Sequence, residues 1–254
     1  MAELSVGAIG AAFEEQADYL PLSAIADVIG QLPPARYAAS GIPPERLMAL
    51  LPEESDAPDP AARALAALGV PARDQPLFLV RSDPPRDSMI AGLSRLVHGA
   101  GWAGEDVGIT HLGELGGTMI FDLLRWAVPE ETGATAVICD EPLFADTVTG
   151  QARFAAVGLR LASGPGPLRV LGCGEGAPAV TACNVFSGTG PCDSWLALHA
   201  ALSAGEIVDG ESVLLHTRGP VREGWLSLRA VDVGALVLAG DADRVAVGAG
   251  GLLR

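Results

Sequence analysis

The stretch from residue 186 to 229 constrains the fold most, because five local signals follow one another there. A glycine-rich turn leads into an apolar segment of helical spacing that contains Trp195, Leu198 and Leu202. Gly205 ends this segment, since glycine readily adopts the left-handed conformation found after helices. Two strand-like runs, SVLLHT and WLSLRA, then flank a Gly-Pro turn. The stretch therefore predicts turn, helix, strand, turn and strand.

The rest of the chain alternates strand-like and helix-like segments, which is typical of an α/β fold. EDVGITHLGELGGTMIFDLLRWAV predicts a strand, a tight turn and a helix. Two loops are predicted, one that enters a short helix within 19–32 and one at 40–60, where proline and acidic residues are frequent. We predict helices at 61–69 and 87–99, and strands at 4–13, 76–82, 134–142, 152–163, 167–174 and in the last two apolar runs, VGALVLAG and RVAVGAGG, with 152–163 and 167–174 as a hairpin-like pair.

Charge and composition exclude several classes of function. The 254 residues carry a formal net charge of -15, which argues against nucleic acid or an anionic membrane as a partner. The sequence contains no lysine, so Schiff-base chemistry and a lysine general base are excluded. No apolar run approaches the roughly 18 residues that a membrane-spanning helix needs, and the first residues lack the basic segment of a secretory signal. We expect a soluble, cytoplasmic protein.

Cysteine and histidine spacing predicts neither a metal site nor a cofactor. No C-x-x-C pair occurs, and no two histidines are four residues apart, so zinc and redox motifs are absent from the sequence. Glu141 and Asp146 follow a predicted strand and could bind a metal, although a solvated acidic loop is the simpler interpretation. The four cysteines are interpreted as small buried apolar residues: Cys139, Cys173, Cys183 and Cys192. The four histidines are interpreted as structural: His98, His111, His199 and His216.

The segment LRVLGCGEGAP resembles the glycine loop V-L-D-x-G-C-G-x-G of S-adenosylmethionine-dependent methyltransferases. Gly172, Gly174 and Gly176 would allow the backbone to approach a ligand closely. The acidic residue before the first glycine is missing, and Pro178 does not continue as a helix. A small-molecule binding protein of this kind is one alternative function.

The order of small residues near the C-terminus resembles β-ketoacyl-acyl-carrier-protein synthase III enzymes, which belong to the thiolase-fold condensing-enzyme superfamily. In that family a helix ending in A-x-x-x-G-x-I-x-x-G-D precedes V-L-L-x-x-x-G-x-G-x-x-W-G. The same order is found here in Ala204-Gly205-Glu206-Ile207, Asp209-Gly210-Glu211, Val213-Leu214-Leu215 and Gly224-Trp225. Upstream, Ala136-Val137-Ile138 with Glu141 and Asp146, and Ala155-Ala156-Val157-Gly158-Leu159, occupy the places of the strands after the nucleophile turn.

The resemblance implies a shortened thiolase-like α/β fold. Two similar βαβαβ-type halves would form the layers α/β/α/β/α. The resemblance assigns residues 1–165 to the N-terminal half and residues 166–254 to the C-terminal half, within one compact unit. It also implies that chains pair through the strand DVGITHL, which precedes the nucleophile turn.

The residues that catalyse condensation in the family are missing here. The family presents a cysteine at a helix N-terminus, where the helix dipole lowers the thiol pKa. The matching turn here, Glu114-Leu115-Gly116-Gly117, has no cysteine or serine. The family's asparagine turn corresponds to Ser187-Gly188-Thr189-Gly190, with Gly188 the nearest counterpart and Asn184 a displaced alternative. About two dozen residues, none of them histidine, replace the segment that would carry the catalytic histidine.

These losses imply a catalytically degenerate subunit. It would pair with an active condensing or acyltransferase chain, or with itself, in a polyketide-like, fatty-acid-like or other specialised biosynthetic pathway. The alternative is an active acyltransferase that uses a non-standard nucleophile on an acyl thioester. Cys192 at the start of a helix is one candidate, because a helix dipole activates thiols. The pair His111–Glu114 is the other, as an acid/base couple.

Overall fold

The computed structural model describes residues 3–14, 19–21, 42–50, 59–82, 92–110, 112–142, 144–146 and 154–240. Its helices are α1 (Pro60–Ala67), α2 (Gly92–Ala100), α3 (Ile120–Ala127) and α4 (Asp193–Ser203), with short 3-10 turns at Gly113–Gly117 and Val233–Ala235. Its strands are β1 (Leu4–Glu14), β2 (Tyr19–Pro21), β3 (Leu47–Leu50), β4 (Leu77–Arg81), β5 (Asp106–Ile109), β6 (Ala134–Asp140), β7 (Phe144–Asp146), β8 (Phe154–Ser163), β9 (Leu168–Glu175), β10 (Asn184–Gly188), β11 (Ser212–Arg218), β12 (Glu223–Ala230) and β13 (Val237–Gly240).

Ten strands form one mixed sheet in the order β10-β11-β12-β9-β1-β8-β6-β4-β5, with β13 parallel to β1. Strand β1 lies near the middle and pairs with both β8 and β9. Its residues are almost all buried, so an apolar run with no alternation suits this position. Strands β2, β3 and β7 form a second, small sheet. The α/β prediction is confirmed.

The same pairing pattern occurs on both sides of the β1–β9 contact. On the N-terminal side, β4 and β6 are parallel, and β6–β8 and β8–β1 are antiparallel. On the C-terminal side, β10 and β11 are parallel, and β11–β12 and β12–β9 are antiparallel. Among the described strands, β5 has no C-terminal counterpart. The division at residue 165 remains a prediction.

Strands β8 and β9 do not form the predicted hairpin-like pair, because β1 lies between them. The connecting segment contains Gly164, with φ of 107°, and two prolines that cannot donate to a ladder. A Cβ at Gly166 would lie 2.4 Å from Ser5 Oγ, so this segment crosses over the start of β1. The hairpin prediction is wrong because strands that are consecutive in sequence need not be neighbours in the sheet.

The loops predicted at 19–32 and 40–60 contain two short strands. Tyr19–Pro21 pairs with Leu47–Leu50, which also pairs with β7. The Tyr19 hydroxyl donates to Pro142 O at 2.5 Å. The sequence predicts a loop here because proline is frequent on both sides. The strands form because of pairing partners that are distant in sequence, which local propensity does not show. The helix predicted within 19–32 and the strand RVAVGAGG lie outside the described residues.

Helix α1, predicted at 61–69, spans Pro60–Ala67, so it begins one residue earlier and ends two residues earlier than predicted. The Asp59 side chain caps it by accepting from Ala62 N at 2.7 Å, and Pro60 occupies the first turn. Gly69 follows the helix with φ of 70°. None of the helices in the described part of the chain is long and apolar enough to span a membrane.

Helix α1 packs against β1 and β8 at glycines. A Cβ at Gly10 would lie 2.7 Å from the backbone oxygen of Ala64 and 3.2 Å from Leu68 Cγ. At Gly158 it would lie 2.8 Å from Leu68 Cδ1. The helix can approach the sheet this closely only because both positions lack a side chain.

Gly10→Ala is expected to lower the free energy of unfolding by about 1–3 kcal/mol, because the new methyl group forces α1 away from the sheet. Urea denaturation measures the change. The control is Gly7→Ala on the same strand, where a Cβ would meet no heavy atom within 4 Å. Equal losses for the two variants would contradict this account of the packing.

His199 is a buried titratable group in α4. Its Nε2 lies 3.1 Å from Ala239 O on β13, and among the described residues its Nδ1 has no hydrogen-bond partner. Burial lowers the pKa of His199, and the hydrogen bond to Ala239 opposes this. The folded protein therefore favours the neutral ring.

Acid should destabilise the protein in part through His199. The unfolded chain takes up this proton near pH 6.5, whereas the folded chain takes it up only at lower pH. The stability contribution is thus complete above about pH 6.5 and is lost as pH falls towards the folded pKa. His199→Gln should reduce the loss of free energy of unfolding between pH 7 and pH 5, as measured by urea denaturation. The control is His98→Gln, at an exposed site, which should show the same pH dependence of the free energy of unfolding as the wild type. If His199→Gln shows that dependence too, His199 is not the group responsible.

Candidate functional site

Three segments of the fold meet at one place, which we call the junction. They are the Gly113–Gly117 turn, the Ser187–Cys192 link before α4, and the 218–223 loop between β11 and β12. Glu114 Oε1 accepts from the Arg222 backbone N–H at 2.8 Å, which joins the turn to the loop. Trp195 Nε1 donates to Gly117 O at 2.8 Å, which joins the turn to α4.

The Gly113–Gly117 turn directs its apolar side chain inwards. Leu115 is fully buried, and a Cβ at Gly224 on β12 would lie 2.8 Å from Leu115 Cδ2. The backbone N–H groups of Thr118 and Met119 both donate to Leu115 O, at 3.0 and 2.8 Å. The predicted tight turn before α3 is confirmed. Leu115 is therefore part of the core.

Gly117 allows the start of α4 to press against the turn. A Cβ there would lie 1.9 Å from Pro191 O and 3.3 Å from Trp195 Cδ1. The Trp195 ring also stacks on Phe121 of α3, with ring centroids 5.7 Å apart. Main-chain atoms therefore occupy the space beside the turn.

The Ser187–Gly190 turn is built around the Asp193 carboxylate. Asp193 Oδ2 accepts from the N–H groups of Thr189 and Gly190, both at 2.9 Å. A Cβ at Gly188 would lie 2.1 Å from Asp193 Cβ, and one at Gly190 would lie 2.2 Å from Asp140 Oδ2. An asparagine cannot stand at position 188 unless this capped turn rearranges.

Asn184 is held at the opposite end of β10. Its Nδ2 donates to Glu211 Oε2 at 3.0 Å, and it pairs in register with Val213 at the start of β11. The full length of β10 separates it from the Ser187–Gly190 turn. The geometry therefore gives no support to a displaced asparagine.

Cys192 lies immediately before α4, as the sequence predicts, but its thiol points into the core. The side chain is fully buried, and Sγ lies 3.3 Å from Ile138 O and 3.7 Å from Ala155 O. A thioester does not reach it in this arrangement. His111, the other candidate, lies outside the described residues. Glu114 lies within the described residues, and its carboxylate accepts a hydrogen bond from the Arg222 backbone, which joins the turn to the 218–223 loop.

The remaining cysteines differ in exposure. Cys139 is buried as predicted, and burial together with nearby Glu141 raises the pKa of its thiol well above the usual value. Burial also raises the pKa of half-buried Cys173. Cys183 is exposed, contrary to the prediction, and its hydrogen bond with Ser212 lowers its thiol pKa. It lies just before edge strand β10, where no outer strand among those described covers it.

Glu141 is paired with Arg81 Nη1 at 3.2 Å and is mostly buried, so it is no solvated loop carboxylate. The Asp146 side chain lies outside the described part of the structure. Among the described residues, no three His, Cys, Asp or Glu side chains are grouped so that they could hold a metal ion.

The glycine run in LRVLGCGEGAP is not a ligand loop. Gly172 and Gly174 lie inside β9, in register with Ser227 and Trp225 of β12. A Cβ at Gly174 would lie 2.9 Å from the Trp225 ring. These glycines make room for a tryptophan of the same sheet, so the methyltransferase-like interpretation is wrong at this position.

The sequence did not reveal the ion pairs of the 218–223 loop. Arg222 donates to both carboxylate oxygens of Glu175, at 2.9 and 3.1 Å. Glu223 Oε1 lies 2.6 Å from His216 Nε2 and 3.6 Å from Arg218 Nε. The only local signal was the Gly-Pro turn, although the predicted strand pair around it would have put His216 and Glu223 within reach.

Comparison with protein families and with curated proteins finds no match to this chain. Solved structures do match. The acyltransferase ChlB3 has a TM-score of 0.59 and 16% identity, covering 92% of this chain and 99% of that one. HMG-CoA synthase complexed with CoA has a TM-score of 0.58 and 9% identity, covering 96% and 86%. OleA from Xanthomonas campestris has a TM-score of 0.55 and 11% identity, covering 89% and 98%.

The chain has a thiolase-like fold. This confirms the predicted fold class, and the structures it resembles are thiolase-fold condensing enzymes. That the Glu114–Gly117 turn corresponds to the family's nucleophile turn, and the Ser187–Gly190 turn to its asparagine turn, remains a prediction from the sequence. The closer likeness to synthase III enzymes rests on the sequence alone.

Trp195→Phe is expected to lower the free energy of unfolding by about 1–3 kcal/mol, because it leaves the buried Gly117 carbonyl without its donor. Thermal and urea denaturation both measure this. Trp126→Phe is the matched control, since Trp126 is 74% exposed on α3. If the two variants lose the same stability, the Trp195–Gly117 contact does not hold the junction together.

Proposed function

We propose that this chain is a catalytically degenerate, ketoacyl-synthase-III-like subunit that pairs with an active condensing or acyltransferase chain. Its role is to stabilise that partner and to shape the partner's substrate pocket. Its fold is shared with an acyltransferase and with HMG-CoA synthases, including one bound to a holo donor acyl carrier protein. This supports a place in a polyketide-like or fatty-acid-like pathway.

The observation that carries the proposal is the filled turn. A condensing enzyme needs a thiolate at this turn, with open space for the thioester and donors for the oxyanion. Here Leu115 is buried, Gly117 is packed against Pro191 O, and Glu114 is bonded to the Arg222 backbone. The absence of a thiol from the turn and the packing of the space beside it both support a chain that does not catalyse condensation.

The partner would bind at the free edge of β5. This strand ends the described sheet order, and Asp106, Val107 and Gly108 are exposed. Exposed apolar edges favour pairing with another strand. Val107, which is 40% exposed, is the apolar side chain at this edge.

The alternative of an active acyltransferase through Cys192 has less support, because that thiol is buried in the core. The degenerate-subunit proposal therefore predicts no acyl adduct at Cys192 or in the Gly113–Gly117 turn. Peptide mass spectrometry after incubation with a panel of acyl-CoA thioesters tests this. An adduct mapped to Cys192 would overturn the degenerate part of the proposal.

Co-expression with a condensing enzyme of the same organism, the proposed partner, tests the pairing. We expect the two chains to co-purify as one complex, and Val107→Arg to weaken the complex about tenfold or more. Val70→Arg, in the loop after α1 and 93% exposed, is the control and should leave the complex intact. Wild-type chains that elute only as separate monomers would count against the pairing.

A further inference from the structure

A row of side chains crosses strands β10, β11 and β12 of the large sheet, on the face opposite the junction. Gly224 pairs with Thr217, and a Cβ there would meet Leu115 and Thr118, so this position faces the junction. Successive residues of a strand point to opposite faces. His216 and Trp225, one position away, therefore lie on the other face.

Four strands contribute to this row in register. Ser187 on β10 is the partner of His216 on β11, which is the partner of Trp225 on β12, which in turn is the partner of Gly174 on β9. Paired residues project to the same face. A hydroxyl, an imidazole and an indole thus stand side by side.

His216 is held by a carboxylate. Its Nε2 lies 2.6 Å from Glu223 Oε1, and the histidine is only 2% exposed. Glu223 also faces Arg218, whose Nε lies 3.6 Å from the same oxygen. With the carboxylate as acceptor, Nε2 carries the proton and Nδ1 is left as a base. A carboxylate that orients a histidine is the arrangement that general-base catalysis requires.

Ser187 is exposed at the edge of the sheet, beside this histidine. Neighbouring strands lie about 4.8 Å apart, so rotation about χ1 brings the Ser187 hydroxyl within reach of the imidazole. The Ser187 side chain is reached from solvent although His216 is buried, because Ser187 is exposed and no strand among those described lies outside β10.

Trp225 gives the row an apolar surface. Its ring packs over Gly172 and Gly174, where a Cβ would lie 3.7 and 2.9 Å from ring atoms. The ring therefore extends away from His216 along the sheet. Together these side chains offer a nucleophile, an oriented base and an apolar patch for an acyl chain.

We propose that Ser187, His216 and Glu223 form an ester- or thioester-hydrolysing centre on the face of the sheet opposite the buried contacts of the junction. Ser187 and His216 are its catalytic residues, and Glu223 is a positioning residue. The centre goes beyond the proposed pairing function and does not depend on it. Its substrates are acyl esters or thioesters whose acyl chain is long enough to cross β11 and reach Trp225, two strands away from Ser187.

The reaction proceeds in two balanced halves. The Ser187 hydroxyl attacks the carbonyl carbon and passes its proton to His216 Nδ1, which forms a tetrahedral intermediate. The bond to the alcohol or thiol then breaks, and that leaving group takes the proton from His216. Water attacks the acyl-serine with the same proton transfers, which releases the carboxylic acid and restores Ser187.

A fluorophosphonate probe tests the centre on the full-length chain, because it reacts with serines that a neighbouring base activates. We expect one adduct, mapped by peptide mass spectrometry to Ser187 and absent from Ser187→Ala. His216→Gln should slow labelling about 100-fold or more. Ser203→Ala, at an exposed serine at the end of α4, should label like the wild type.

The positioning role of Glu223 is tested by the pH dependence of the labelling rate, which a purely structural role would not change. Glu223→Gln should shift the pH dependence of the labelling rate, and Glu223→Asp should restore part of the wild-type profile. An unlabelled wild-type chain, or an adduct that persists in Ser187→Ala, would overturn the proposal. Because Ser187 is exposed, that variant decides the question even where His216→Gln fails to fold. Neither result bears on whether the chain pairs with a condensing enzyme.

Discussion

The rest of the candidate site depends on the contact between the Gly113–Gly117 turn and the start of α4. One segment comes before β6 and the other follows β10, so their contact joins distant parts of the chain. It consists of the Trp195–Gly117 hydrogen bond and the close approach of Pro191 O to Gly117. Glu114 extends it to the loop before β12. These bonds connect α3, α4 and the final hairpin.

Local signals in the sequence predicted most of the helices and strands, because each depends on residues close together in the chain. Gly69 and Gly205 end helices with φ of 70° and 72°, as their positions indicated. The sheet order was harder to predict, since the place of β1 between β8 and β9 depends on pairings more than a hundred residues apart. The fold class came from the resemblance as much as from periodicity.

The candidate site was predictable in what it lacks and not in what it contains. The sequence alone shows that the turn at 113–117 has no thiol or hydroxyl nucleophile. It does not show that Cys192 points into the core, because the direction of a side chain at a helix start depends on what the helix packs against. Glycine patterns are ambiguous for the same reason: Gly174 gives room to Trp225 and Gly188 to Asp193, and neither approaches a ligand.

The packing at Gly117 bears on how this chain could evolve. A cysteine at 117 would place its Cβ 1.9 Å from Pro191 O, and at 116 it would lie 3.3 Å from Val80 Cγ1. At 115 it would point into the space that Leu115 now fills. Position 117 therefore accepts a side chain only if the backbone at the start of α4 moves away first. Because the obstacle is a main-chain oxygen, which any residue at position 191 would carry, no substitution there removes it.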